Sequence, residues 1–222
     1  MTPRSAKPLF AALRPGRRHP DEEGRRPLDA YFTGEPEAIR ALLAADGARI
    51  RALGSVWEPA AGRGDMVREI EGVGLPCLAS DIADHGWPGL HERRCFYEFQ
   101  TAPAPAIITN PPYGEITARS GSPWLRHTLA LPGWRYCALL LSWEWPAGVT
   151  NGLGELLDAE PFAWCYLLRW KIDFTGAGRP SQRNAWFVWD RDWRGGEPAF
   201  RWLARPPGPK TAGAHPVRSS RP

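Results

Sequence analysis

The chain has 222 residues, a net charge of +4 and a pI near 9.1, values that permit nucleic-acid binding without requiring it. Its 43% hydrophobic and 23% charged residues are globular proportions, enough for one domain with a full core. No apolar run approaches the roughly 20 residues of a membrane span, and the basic N-terminus lacks the apolar stretch of a secretion signal, so a cytoplasmic location is expected.

Residues 1–26 carry Arg4, Lys7, Arg14, Arg17, Arg18, Arg25 and Arg26 among Pro and Gly. They read as a basic flexible arm, either a phosphate-tracking tail or an unstructured terminus. Residues 27–204 follow as the folded domain. Tyr31-Phe32-Thr33-Gly34-Glu35-Pro36 leads into a helix, with Pro36 suited to the first turn and Ile39, Leu42 and Leu43 on one face.

Ser55-Val56-Trp57-Glu58-Pro59 reads as a strand that runs into Ala60-Ala61-Gly62-Arg63-Gly64-Asp65 and a helix through Val67, Ile70 and Val73. A glycine turn between strand and helix lets a ligand approach the backbone at a helix N-terminus. Glu58 argues against a phosphate there and favours a positively charged group, such as that of an amino acid moiety. Pro76-Cys77-Leu78-Ala79-Ser80-Asp81-Ile82 is a second strand ending in an acid, 17 residues beyond Gly64. A carboxylate near that separation suits the hydroxyls of a ribose. Cys95-Phe96-Tyr97-Glu98-Phe99 reads as a third, short strand, with Phe99 placed to stack on an adenine and Glu98 to hydrogen-bond it.

Ala106-Ile107-Ile108-Thr109 is a buried central strand stopped by Asn110-Pro111-Pro112-Tyr113. Two prolines can neither continue a helix nor extend a ladder, so an amide and a ring are held at the strand's carboxyl end, where open α/β sheets bind ligands. The pattern suits an exocyclic amine, whose lone pair is delocalised into its ring. The Asn110 side-chain oxygen and the Pro111 carbonyl could accept its two hydrogens, and Tyr113 could stack on a base turned out of its helix. A bare strand-ending turn is the alternative for the motif alone.

Residues 114–122 read as a mobile loop beside this turn. A helix is expected through Trp124, Leu125, Thr128, Leu129 and Leu131, a strongly buried strand over Tyr136–Trp143, a helix over 150–159 and a strand from Phe162 to Trp170. Lys171–Pro180 is a turn-rich loop, and Ala185–Asp190 the last strand. Residues 205–222 have no apolar period and are expected to be disordered. Cys77, Cys95, Cys137 and Cys165 are widely spaced and read as free thiols. The five histidines show no metal spacing, so no metal is expected.

Strand, glycine turn, helix, acid-ended strand, then a strand ending in Asn110-Pro111-Pro112-Tyr113: this order resembles S-adenosylmethionine-dependent amino-methyltransferases, and within them the N6-adenine DNA methyltransferases of phages and prophages. The resemblance covers about residues 28–192. It implies a Rossmann-like, seven-stranded, mostly parallel α/β sheet with helices on both faces and the last strand, 185–190, inserted antiparallel. It implies that Asn110, Pro111, Pro112 and Tyr113 act on a target adenine flipped out of DNA, and that the cofactor is S-adenosylmethionine. Glu58, Pro59, Ala60, Gly62 and Gly64 would line its methionine portion, Asp81 its ribose, and Glu98 and Phe99 its adenine. Tyr31 and Thr33 fall where the family has a cofactor-contacting segment, and Asn110 also borders the cofactor. At Glu98 the family more often has Asp. Residues 173–178 and 185–189 resemble a C-terminal pattern of the phage group.

Only 109 residues follow Tyr113, which leaves no room for a large recognition domain. Specificity is expected from 114–122, 171–184 and the basic arm, or from a protein partner. Two alternatives remain: an amino-methyltransferase of RNA or protein glutamine, and a non-catalytic methyltransferase-like nucleic-acid-binding protein.

Overall fold

The computed structural model describes residues 36–174, 178, 180 and 182–207. The basic arm, Tyr31, Thr33, residues 175–177 and the tail from 208 lie outside the described residues.

Helix α1 spans Glu37–Leu53. Its buried side chains Ala38, Ile39, Leu42, Leu43 and Ile50 recur at helical spacing and form one apolar face. Strand β1 is Val56–Glu58, helix α2 Asp65–Gly72, β2 Cys77–Asp81, β3 Glu92–Arg93 and β4 Ala106–Thr109. Helices α3, Tyr113–Ile116, and α4, Pro123–Ala130, precede β5, Tyr136–Ser142. Helix α5, Leu153–Ala159, leads to β6, Trp164–Leu168, then β7, Asn184–Asp190, and β8, Ala199–Leu203.

One eight-stranded sheet has the order β3-β2-β1-β4-β5-β7-β6-β8. Strand β7 runs antiparallel to both its neighbours, and every other pairing is parallel. The α/β class and the antiparallel insertion at 185–190 are as the sequence led one to expect. The side-chain alternation of the strands divides the core in two. Val56, Ala106, Ile108, Tyr136 and Ala138 meet α1 and α2 on one face, while Trp57, Ile107, Cys137 and Leu139 meet α4 and α5 on the other.

Helix α1 sets one polar group into its buried face. Asp46 accepts hydrogen bonds from Tyr136 Oη at 2.9 Å, Trp164 Nε1 at 3.1 Å and Tyr166 Oη at 2.6 Å. Three donors offset the desolvation that would otherwise exclude a carboxylate from this position. They also fix α1 across β5 and β6.

Seven expected strands become eight. Residues 95–99 do not form the third strand: Phe96–Glu98 is a tight 3₁₀ turn, and the third strand is the two-residue β3 just before it. The reason is the spacing of the apolar rings. Phe96 and Phe99 are both buried, Phe96 stacked 4.0 Å from Trp124 and Phe99 4.7 Å from Trp57. An i, i+3 pair shares a face in a 3₁₀ turn and lies on opposite faces of a strand. The added strand is β8, paired in parallel with β6 from Trp164↔Ala199 to Leu168↔Leu203. Residues 114–122, expected as a loop, instead contain the rest of α3 after Tyr113 and a 3₁₀ turn at Ala118–Ser120, fastened by Trp145 Nε1 to the Ile116 carbonyl at 2.7 Å. The helix expected over 150–159 begins at Leu153, after a 3₁₀ turn at Thr150–Gly152.

Candidate active site

Strand β1 lies between β2 and β4, in register through Glu58↔Ala79 and Trp57↔Ile107. The chain leaves β1 toward β2 on one side and returns to β4 on the other, which is the switch point where a parallel sheet opens a crevice. All three strands run the same way, so Glu58, Asp81 and Asn110 emerge on one rim. Adjacent strands are about 4.8 Å apart, so the glycine turn after β1 and the Asn-Pro-Pro-Tyr turn after β4 are within reach of one small molecule.

The glycine turn is closed by its own backbone and by Asp81. Gly64 N donates to Ala61 O at 2.8 Å, Ala61 N to Ser80 O at 3.0 Å, and Gly62 N to Asp81 Oδ2 at 2.8 Å. Asp81 Oδ1 accepts from Ala83 N at 2.9 Å. Two backbone amides thus hold the carboxylate in one orientation, with lone pairs left for a ligand's hydroxyls. Gly64 has a φ of +75°, and a Cβ there would lie 2.3 Å from the Trp87 ring. Both the backbone and its neighbour therefore demand glycine.

Glu58 is fully buried. Burial above all, and the Asp81 charge after it, push its carboxyl up, the Thr109 hydroxyl and the Ala60 amide oppose the rise, and together they leave it at about 8. Ala60 N donates to Glu58 Oε1 at 3.0 Å, whereas Oε2 is buried without a hydrogen bond. An orphaned carboxyl oxygen beneath a glycine turn is a ready acceptor for an ammonium group. A cation arriving there would lower the carboxyl's affinity for its proton. Pro59 is buried and Ala60 half-buried between Glu58 and the turn.

Asn110 is half-buried at the end of β4, Pro111 is buried, and Tyr113 opens α3 directly after Pro112. Tyr113 is positioned from across the sheet. Asn184, buried at the start of β7, donates from Nδ2 to Tyr113 Oη at 3.0 Å and to Leu141 O at 3.3 Å. The Phe174 ring meets Tyr113 edge-on at 6.2 Å.

Glu58, the Gly62–Gly64 turn, Asp81 and Asn110–Tyr113 are thus brought to one rim. Glu98 and Phe99 are placed differently from a stacking pair. The Phe99 ring is in the core, with the Arg94 guanidinium 4.4 Å over it, and the exposed Glu98 pairs with Arg94 at 3.6 Å. Asn184 and Trp87 went unnoticed in the sequence. Asn184 could have been found as the polar side chain opening the apolar run Ala185–Trp189, whereas Trp87 lies in a Gly- and Pro-rich stretch that carries no such signal.

No family model and no curated protein matches the sequence. Solved structures match in fold. A Listeria monocytogenes protein described as a class I S-adenosylmethionine-dependent methyltransferase gives a TM-score of 0.54 at 13% identity, over 82% of this chain and 68% of its own. A protein from Vibrio vulnificus, described as a modification subunit of a type I restriction enzyme, gives 0.51 at 14% identity over 81% of this chain, which spans only 48% of its length. A protein described as an RNA methyltransferase from Pyrococcus horikoshii gives 0.50 at 12% identity, over 69% of this chain and 82% of that one. At such identities the likeness is one of architecture, and this chain has the Rossmann-like fold of those methyltransferases.

Proposed function

We propose that this chain transfers a methyl group from S-adenosylmethionine to the N6 amino group of adenine in DNA, as a cytoplasmic enzyme of the phage or prophage type. One observation supports the reading above others: the glycine turn with its two acids and the Asn-Pro-Pro-Tyr turn share the carboxyl rim of adjacent parallel strands.

The residues fit such a cofactor. Glu58 offers its orphaned oxygen to the amino group, Gly62 and Gly64 leave room along the methionine portion, and Asp81 meets the ribose hydroxyls. The cofactor supplies an electrophilic methyl on a sulfonium. The chain supplies position and electrostatics. Asn110 and the Pro111 carbonyl accept the two amine hydrogens, favouring a tetrahedral nitrogen with its lone pair outward. Tyr113, held by Asn184, stacks on the flipped base. The nitrogen gains the methyl and loses one proton to solvent.

The test is transfer of radiolabelled methyl groups to unmethylated DNA, with N6-methyladenine identified after digestion. Label in adenine that disappears in Asn110→Ala is expected. Label only in RNA guanine or protein glutamine would reassign the substrate, and failure to bind S-adenosylhomocysteine would overturn the enzyme reading.

A further inference from the structure

Three rings and a guanidinium form a track across the half of the sheet remote from the glycine turn. Trp143 follows the carboxyl end of β5, the strand beside β4. Its ring lies 5.3 Å from Phe200, Phe200 lies 5.9 Å from Trp202, and the Arg169 guanidinium sits 5.0 Å over Trp202. Phe200 and Trp202 are 49% and 58% exposed on β8, the outermost strand. All twelve tryptophans lie among the described residues, and Trp202 alone is exposed. The fold buries such rings elsewhere, so leaving these two in water requires a reason.

The surroundings are basic. Arg169 and Arg183 are exposed beside the rings, Arg183 with its carbonyl accepting from Trp143 N at 2.9 Å, while Arg201 turns to the other face of β8 and donates to Tyr166 Oη at 3.2 Å. From β4 to β8 is four strand spacings, roughly 19 Å, a distance that a few nucleotides cover.

The geometry points to a stacking platform for the unpaired nucleotides that flank the target base, a proposal that rests on the nucleic-acid reading of the site. A duplex keeps its bases stacked within itself, so exposed rings can take only bases that are unpaired. Stacking on aromatic faces beside cationic side chains is how single strands are held with little base preference. The edge suits a second copy of the chain poorly. Two-fold antiparallel pairing of β8 about its middle residue would set Arg201 directly against its own copy, like charge on like.

The experiment uses the full chain, a fluorescent 12-nucleotide strand with one adenine, and the matching duplex. The single strand should bind and be methylated in preference to the duplex. Phe200→Ala/Trp202→Ala should raise its Kd and KM about tenfold or more, leaving kcat at saturating strand and S-adenosylhomocysteine binding unchanged. Both side chains are exposed, and the melting temperature checks that the variant folds. Wild-type affinity in the double variant, with DNA methylation intact, would overturn the platform and spare the function. So would a preference for duplex, or a loss of dimer with strand affinity unchanged. A wild-type protein that binds S-adenosylhomocysteine but no nucleic acid would overturn both.

Discussion

Residues 55–112, which build β1 to β4, hold eight acidic and four basic side chains, whereas residues 164–207, which build β6 to β8, hold four acidic and eight basic. The two halves differ in build as well. The first has strands of two to five residues, and the acids that end β1 and β2 accept from backbone amides. The second, with β5, has strands of five to seven residues and an exposed aromatic edge. Asn110 sits between them. An acidic half attracts a sulfonium and an ammonium, and a basic half attracts phosphates. The division teaches that a cationic small molecule and a polyanion can reach the same rim from separate sides.

The largest effect should come at the boundary. Asn110→Ala is expected to reduce methyl transfer by about a hundredfold or more, while cofactor affinity measured by calorimetry stays within a few fold. Equal loss of both would erase the boundary. Next is Glu58. A carboxyl of the unfolded chain releases its proton near 4.5, whereas Glu58 holds its own to about 8. Between those values the folded chain binds more protons, so its stability is full below 4.5 and falls as the pH rises toward 8. Glu58→Gln should flatten that slope, worth on the order of a few kcal/mol, in denaturation curves between pH 5 and 8. It should also abolish the proton released when S-adenosylhomocysteine binds at neutral pH, read by calorimetry in buffers of different ionisation enthalpy.

Asp81→Ala should weaken cofactor binding about tenfold, the value of one charge-assisted hydrogen bond, and leave strand affinity unchanged. A change in strand affinity instead would show that the halves are not separate. The smallest effect is that of Asn184→Ala. Freed from its 3.0 Å contact, Tyr113 should cost roughly fivefold in kcat with cofactor affinity unaltered.

The parallel half was readable because its signals are local. Strands β1 and β2 end in acids beside glycines, and Ala106–Thr109 is stopped by two prolines. Residues 95–99 misled because a β-rich composition concealed an i, i+3 pair of buried rings. Strand β8 was hidden by its Pro- and Gly-rich neighbours, although Phe200-Arg201-Trp202 alternates as an edge strand should. Asn184 acts on Tyr113 across 71 residues of sequence. No window-based reading brings such residues together, since it takes the β4–β5 and β5–β7 pairings in sequence to make them neighbours.

That last hydrogen bond has an architectural consequence. The Tyr113 hydroxyl is anchored to the first residue of β7, inside the sheet, and only the edge of its ring meets the segment that connects β6 to β7, at Phe174. The connection beyond Phe174 can therefore be lengthened, shortened or exchanged while the hydroxyl's anchor stays in place. Variants with grafted connections could acquire new target preferences on an unchanged chemical centre.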